Sequence, residues 1–332
     1  MFKKILIGIG LLLAAAIIAP YVWIGMDDKP FDEAARAKAP GEFAQLSNGR
    51  LHYVWVEPAA ETANGETVVM LHGLYVPHFM FAQNAKALAR AGYRVLLPDH
   101  FGHGFSDRPA GKYDADFFAA EVKELLAKLD IDEPIYLAGQ STGSLIAAQY
   151  TAAHPEQVKG LMLIVPAGIR MHGEADDMMA KLIRTPVIGG WIWRVLARRA
   201  LKAGNPPPCD VCGNGPLMGD PHIQAEYSGY FPAMLSILRH FPLRGQDEDF
   251  RALGRTGVPT IAIFGGKDDV VHIGSIDVLA GLAPGIEIVT VDTGDHAMNF
   301  RKAEAINPLL LAFLERAKGS TPAAQHQSAT PE

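Results

Sequence analysis

A serine stands between two glycines where an apolar, strand-like run gives way to a helical one. Gly139-Gln140-Ser141-Thr142-Gly143 follows Ile135-Tyr136-Leu137-Ala138 and precedes Leu145-Ile146-Ala147-Ala148. A tight strand-to-helix turn strains the backbone of its central residue and leaves no room for side chains two positions to either side. Both of those positions are glycine. The helix that starts here also aims its first N–H groups, and the positive end of its dipole, at the place where an oxyanion would form next to the serine.

The rest of the chain fits around such a turn. Short β-branched apolar runs at Leu51–Val56, Thr67–Leu71, Arg94–Leu97, Ile135–Ala138, Leu161–Val165, Thr260–Phe264 and Glu287–Val291 alternate with helical patterns. That rhythm is the signature of an α/β chain with a mostly parallel sheet covered by helices on both faces. In one covering helix Phe117, Phe118, Val122, Leu125, Leu126 and Leu129 recur at helical spacing, with Glu121, Glu124 and Lys128 on the other face. The rhythm breaks between Val165 and Thr260, a gap far longer than an ordinary crossover, and an inserted helical cap is expected there. Trp191, Trp193, Val195, Leu196 and Leu201, set among Arg194, Arg198, Arg199 and Lys202, read as an amphipathic helix within it. No internal repeat is evident.

The N-terminus carries a different signal. Ile5–Ile24 holds no charge, and a helix of that length, rising ~1.5 Å per residue, spans ~30 Å of hydrocarbon. Lys3 and Lys4 precede the run, and Asp27 and Asp28 follow it. This charge asymmetry puts the N-terminus in the cytoplasm and the remainder on the extracytoplasmic side, with Tyr21 and Trp23 at the far interface. The alternative is a cleaved signal peptide with its site at Ala14-Ala15-Ala16, which would release a secreted protein. The expected organisation is a membrane anchor over 1–26, a short polar linker over 27–42 containing Pro30 and Pro40, an α/β core over 43–168, cap over 169–249, core again over 250–318, and a low-complexity tail over 319–332.

Composition excludes some classes. With 332 residues, 49% of them hydrophobic and 20% charged, the chain is too apolar to be disordered through most of its length. A net charge of -6 gives no electrostatic reason to expect nucleic acid as a partner. Cys209 and Cys212 form one C-x-x-C in a Pro- and Gly-rich stretch without a second ligand pair, so zinc is not expected; a small disulfide loop and two unpaired thiols both remain open.

A serine hydroxyl becomes a nucleophile when a histidine takes its proton and an acid orients that histidine. The chain supplies both after later strands: Thr260–Phe264 runs into Gly265-Gly266-Lys267-Asp268-Asp269, and Glu287–Val291 is followed by Gly294-Asp295-His296. The order serine, acid, histidine is the one used by nucleophile-elbow enzymes.

With these residues in view, the segment from about Gly49 to Arg316 resembles the α/β-hydrolase superfamily. The likeness is to the capped branch of esterases, monoacylglycerol lipases, carbon–carbon bond hydrolases and cofactor-free haloperoxidases. Leu71-His72-Gly73-Leu74 resembles its oxyanion-loop signature. Pro98-Asp99-His100-Phe101-Gly102-His103-Gly104-Phe105-Ser106 resembles a second signature turn, with His100-Phe101 where Arg, Leu or Pro is more usual. Ser144 also departs from the family, in a position that is often a third glycine. The resemblance implies Ser141 as nucleophile, His296 as base, Asp268 as orienting acid, and the backbone N–H groups of Leu74 and Thr142 as the oxyanion hole. It favours Asp268 over Asp269, because counting from Gly265 puts Val270 and Val271 in the pattern's aliphatic places, whereas counting from Gly266 puts His272 in one of them. The dehalogenase and epoxide-hydrolase branches use an aspartate nucleophile, so Ser141 argues against both.

The expected function is hydrolysis of a small, largely apolar carboxylic ester, with Trp191, Phe231, Met234 and Leu235 as pocket residues of the cap. No cofactor or metal is expected; residues 5–24 would contact the lipid bilayer. The alternatives are carbon–carbon bond cleavage or perhydrolysis by the same triad, and an inactive receptor on the same fold. Bland readings cover the remaining features. His72 and His103 are expected to be structural, and His100-x-x-His103 with Asp99 to imitate a metal site without being one. The Arg-rich cap face is most simply solvated, with anionic lipid head groups as the sharper alternative.

Overall fold

The computed structural model describes residues 2–26, 28–37, 39–173, 178–197 and 221–319. One sheet runs in the order β1-β2-β4-β3-β5-β6-β7-β8, with β1 Glu42–Leu46, β2 Gly49–Val56, β3 Thr67–Leu71, β4 Arg94–Pro98, β5 Ile135–Gln140, β6 Val158–Ile164, β7 Thr260–Gly265 and β8 Glu287–Val291. β2 pairs antiparallel with both β1 and β4, and every other neighbouring pair is parallel. This is the α/β-hydrolase arrangement expected above.

The central strands read as continuous apolar runs because both faces of the sheet are covered. Side chains alternate between two cores with the period of the pleat. Leu71, Leu137, Leu163 and Phe264 point to one core, closed by the helices Ala115–Lys128, Thr142–Ala153 and Asp247–Thr256. Met70, Ala138, Met162 and Ile263 point to the other, closed by Ala82–Arg90 and Ala303–Ala317.

Four details differ from the sequence reading. β1 is an additional edge strand, joined to β2 by a hairpin in which Leu46 pairs with Gly49. The polar linker before it lies against the domain. Phe31 lies under the guanidinium groups of Arg36 and Arg108, at 4.4 and 4.1 Å, and Lys29 N–H donates to Glu226 O at 2.8 Å. Glu121, expected on the solvent face of its helix, is buried, and its carboxylate accepts from Phe101 N–H at 2.7 Å and from His100 Nδ1. Finally, the segment between β6 and β7 is broken up. Helices Met178–Arg184 and Ile188–Ile192 lead into a π-helical turn Trp193–Ala197, and Tyr230–His240 packs back on the first core. The expected continuation through Arg198 and Lys202, the Cys209–Cys212 pair and the tail from 320 lie outside the described residues.

The N-terminal helix Phe2–Met26 is long and apolar enough to cross a membrane. Its Lys3–Trp23 stretch has a mean hydropathy of 2.5, and its most apolar window is not buried.

One buried carboxylate organises the turn after β4. Asp99 accepts from His52 Nδ1 and His78 Nδ1, both at 2.7 Å, from His78 N–H at 2.9 Å and from Phe105 N–H at 3.1 Å. The other ring nitrogen of His52 faces Pro40 O, so both nitrogens meet acceptors. Burial pulls the His52 pKa down, yet Asp99 and the Pro40 carbonyl outweigh it and the net shift is upward. Burial likewise favours protonated Asp99, yet His78 and His52 hold it well below the ordinary carboxylate range. The His52 contribution to stability is therefore complete below about pH 6.5 and is lost as pH rises through the raised folded value. The Asp99 contribution is complete above about pH 4 and is lost as pH falls through the depressed one. We expect the urea midpoint to decline as pH rises above the ordinary histidine range, and His52→Gln to remove that decline. Asp99→Asn should cost about 3–5 kcal/mol by leaving buried donors mismatched. An Asp99→Asn protein as stable as the parent would contradict this reading.

Candidate active site

β5 runs into the helix Thr142–Ala153 at Ser141, whose φ of 53° and ψ of −116° lie outside the regions that non-glycine residues favour. The surrounding glycines permit this turn by their lack of a side chain. A Cβ on Gly139 would run into the backbone of Gly143, one on Gly143 into the carbonyls of Leu71 and His72, and one on Gly73 into the side chain of Gln140. The turn is then tied to the neighbouring strand. Ser141 N–H donates to Ile164 O at 2.9 Å, and Ser141 O accepts from Ala167 N–H at 3.1 Å. Ser144 donates through Oγ to Gly139 O at 2.7 Å and accepts from Ile164 N–H at 3.1 Å, so this departure from a third glycine adds hydrogen bonds between the turn and β6.

Two loops at the same end of the sheet bring the other groups to Ser141. Gly265 and Gly266, at the end of β7, let that loop press against the one after β8: a Cβ on either would lie 2.6 Å from a carbonyl of Gly294 or Asp292. Asp268 Oδ2 lies 2.9 Å from His296 Nδ1, and His296 Nε2 lies 3.1 Å from Ser141 Oγ. Asp268 Oδ1 also accepts from the N–H groups of Val270 and Val271, at 2.7 and 2.8 Å, which fixes the carboxylate in a local turn. Asp268 is buried and Asp269 exposed, so the geometry brings Asp268 alone of the two to the imidazole. Gln140 was missed by sequence reasoning: its Nε2 donates to His296 O at 2.8 Å and fastens the histidine loop to the serine turn.

The backbone N–H groups of Leu74 and Thr142 have no hydrogen-bond acceptor among the described residues. Both residues line a small cavity of about 10 Å³, together with Gly73, His100, His103, Phe118, Ile146, Ile237 and Phe241. His72 braces this wall. Its Nδ1–H donates to Gly73 O at 2.7 Å and its Nε2 accepts from His100 N–H at 2.9 Å, while burial, with His100 and His103 nearby, keeps its pKa well below the ordinary value.

The four expected cap residues do not line this cavity. Trp191 donates its indole N–H to Ile17 O of the N-terminal helix at 2.7 Å, so it points to that helix, not to Ser141. Phe231 packs against Trp193, Met234 lies near Gly102, and Leu235 faces Gly190. The helix Tyr230–His240 reaches the cavity only at its C-terminal end, through Ile237 and the following Phe241.

His52, His78 and Asp99 place ligand-type atoms within 4.8 Å of one another, but both Asp99 oxygens and both Nδ1 atoms are already hydrogen-bonded to each other. Asp99 turns to these two histidines, and not to the sequence neighbours His100 and His103 considered above. The arrangement at Ser141 is that of a hydroxyl whose proton can pass to an imidazole oriented by a carboxylate, beside two N–H groups free to receive negative charge.

A sequence profile described as alpha/beta hydrolase fold matches residues 66–191. The AB hydrolase superfamily protein YisY of Bacillus subtilis is 28% identical over 79% of this chain and 98% of that protein. A haloalkane dehalogenase of Mycobacterium marinum is 30% identical over 66% of this chain and 73% of that protein. Among solved structures, a bacterial membrane phospholipase A covers 96% of this chain and all of its own, with a TM-score of 0.64 at 23% identity.

If close approach at the turn is what the glycines supply, Gly143→Ala should lose roughly 3 kcal/mol or more, since the Leu71 carbonyl cannot move without disturbing β3. Gly281→Ala, in a helix with nothing within 4 Å of the added carbon, should be neutral or slightly stabilising. Equal urea midpoints for Gly143→Ala and the parent would remove the packing argument.

Proposed function

This chain belongs to the α/β-hydrolase superfamily, and within it we propose a serine hydrolase that cleaves small, apolar carboxylic esters through an acyl-enzyme on Ser141. The observation that carries this reading is the 3.1 Å approach of Ser141 Oγ to His296 Nε2, with the N–H groups of Leu74 and Thr142 lacking an acceptor among the described residues. In the reaction, Nε2 takes the Oγ proton as the oxygen attacks the ester carbonyl carbon. The two N–H groups receive the charge that develops on the carbonyl oxygen, each worth on the order of 10²–10³-fold in rate. The proton on Nε2 then passes to the leaving alcohol, and water repeats the sequence on the acyl-enzyme. Asp268 accepts from Nδ1–H throughout and holds the tautomer that leaves Nε2 free to act as base.

The apolar side chains of Leu74, Phe118, Ile146, Ile237 and Phe241, next to the proposed oxyanion donors, support a small apolar substrate. Ser141→Ala should lower hydrolysis of p-nitrophenyl esters at least ~10³-fold and abolish labelling by a fluorophosphonate. Asp268→Asn should lower kcat ~10⁴-fold by favouring the wrong tautomer, whereas Asp269→Asn should change it only a few-fold. Unchanged labelling of Ser141→Ala, or the reverse ranking of the two aspartates, would overturn these assignments.

We further propose that Phe2–Met26 is a single-pass anchor, with the hydrolase on the extracytoplasmic side. Its exposed apolar surface and the charges at its two ends support this. The full chain should sediment with membranes and resist high-salt extraction, and a chain starting near Lys29 should be soluble. Salt-extractable protein with a shortened N-terminus by mass spectrometry would favour a cleaved signal instead.

A further inference from the structure

The Leu74 N–H, proposed above as an oxyanion donor, sits in the loop that runs from Gly73 to His78 after β3. Both ends of this loop are tied down. At its start His72 Nδ1–H donates to Gly73 O at 2.7 Å, and because that carbonyl and the Leu74 N–H belong to one planar peptide, the bond sets the direction of the N–H. At its end Asp99 accepts from His78 N–H at 2.9 Å. The middle is strained. Tyr75 has a φ of 72°, in the left-handed region that a residue with a side chain rarely enters, and such a conformation persists only where the surroundings enforce it.

One side chain 149 residues further along the chain supplies that enforcement. Gln224, in the short helix Pro221–Gln224, is fully buried; its Nε2–H donates to Tyr75 O at 3.1 Å and its Oε1 accepts from Gly104 N–H at 2.7 Å. Among the described residues no other hydrogen bond reaches the backbone of Leu74, Tyr75 or Val76. One neighbour is a carbonyl and the other an N–H, so the amide has a single orientation here, and a carboxylate in its place would offer Tyr75 O no donor. Gly104 belongs to the turn after β4 that Asp99 organises, so Gln224 braces the loop against a fixed support. The segment that carries Gln224 is itself held. Tyr227 N–H donates to Gln224 O at 3.1 Å, and the linker pairs on either side of Tyr227, with Lys29 N–H donating to Glu226 O and Ser228 N–H to Lys29 O.

We propose that Gln224 is a positioning residue for ester hydrolysis: by holding Tyr75 in its left-handed conformation it keeps the Leu74 N–H where the oxyanion forms. This rests on the reading of Ser141 as an esterase nucleophile. Without the amide, Tyr75 relaxes toward a negative φ and carries Leu74 with it. A donor displaced by about 1 Å leaves the substrate its place but no longer meets the charge that develops during attack, so the loss falls on kcat and spares ground-state binding.

The test uses the full chain in detergent. Gln224→Met keeps the length of the side chain and loses both hydrogen bonds; Gln224→Asn keeps an amide that is one methylene short of joining the two loops, and serves where Gln224→Met does not fold. With p-nitrophenyl butyrate each should lower kcat about tenfold or more, short of the ~10²–10³-fold of a deleted donor, with KM changed less than about threefold. An alkyl trifluoromethyl ketone probes the donor directly: Ser141 Oγ adds to its carbonyl carbon, the proton passes to His296, and the anionic oxygen sits where that of the ester would form. Affinity for the ketone should fall in proportion to kcat, whereas calorimetry should find equal binding of ethyl butyrate to Ser141→Ala with and without the Gln224 substitution. Parental kcat and ketone affinity in both variants, or losses confined to KM and to ethyl butyrate binding, would overturn the assignment. A parent that neither turns over the ester nor binds the ketone would instead remove Ser141 as the nucleophile, and the role of Gln224 with it.

Discussion

The site depends on how closely β3 and the loop after it approach the serine turn. Gly73 and Gly143 let the loop after β3 and the helix Thr142–Ala153 approach closely: a Cβ on Gly143 would meet the Leu71 and His72 carbonyls, and one on Gly73 the Gln140 side chain. Ser141 is held in a backbone conformation that costs on the order of 1–3 kcal/mol, which persists only when the surroundings over-determine it. They do so here by position. β5 lies between β3 and β6, and hydrogen bonds from Ser141, Ser144 and Ala167 connect the turn to β6 and the segment after it. The Thr142 N–H, next in the chain, has no acceptor among the described residues, so the proposed nucleophile and one proposed oxyanion donor share a single local constraint.

A second layer keeps the opposing wall in place. Asp99 gathers four donors from β2, the loop after β3 and its own turn. Glu121 does the same for the adjacent residues, His100 and Phe101, from the helix Ala115–Lys128. Buried carboxylates are unfavourable alone and specific when every lone pair is met. In this molecule they fix the loop that carries His100 and His103 without themselves touching the cavity.

How much of this was legible depends on the range of the interaction. β3, β5 and β7 follow from runs of apolar residues buried on both faces, and the meeting of Ser141, Asp268 and His296 follows from chain order and from glycines that mark close approach. Glu121 was misread because helical spacing assigns a face without saying what packs on it, and a loop from β4 covers its side. β1 is short and half-polar, and only the Asn48-Gly49 pair, a hairpin signal, points to it. The partners of Asp99 lie 47 and 21 residues away, whereas the histidines adjacent in sequence turn elsewhere. Gln140 looked like a free position of the motif, and its role depends on a loop 156 residues further on. Trp191 has the composition of a pocket residue, but composition does not tell whether an aromatic faces a substrate or, as here, the N-terminal helix.

The central claim is covalent catalysis at Ser141, and rapid quenching of the enzyme during turnover of an activated ester examines it directly. Peptide mass spectrometry of the quenched protein should find the acyl mass on the peptide containing Ser141, with a higher yield in Asp268→Asn if deacylation slows more than acylation. Turnover with no acylated peptide, or with the acyl group on a different residue, would contradict the account.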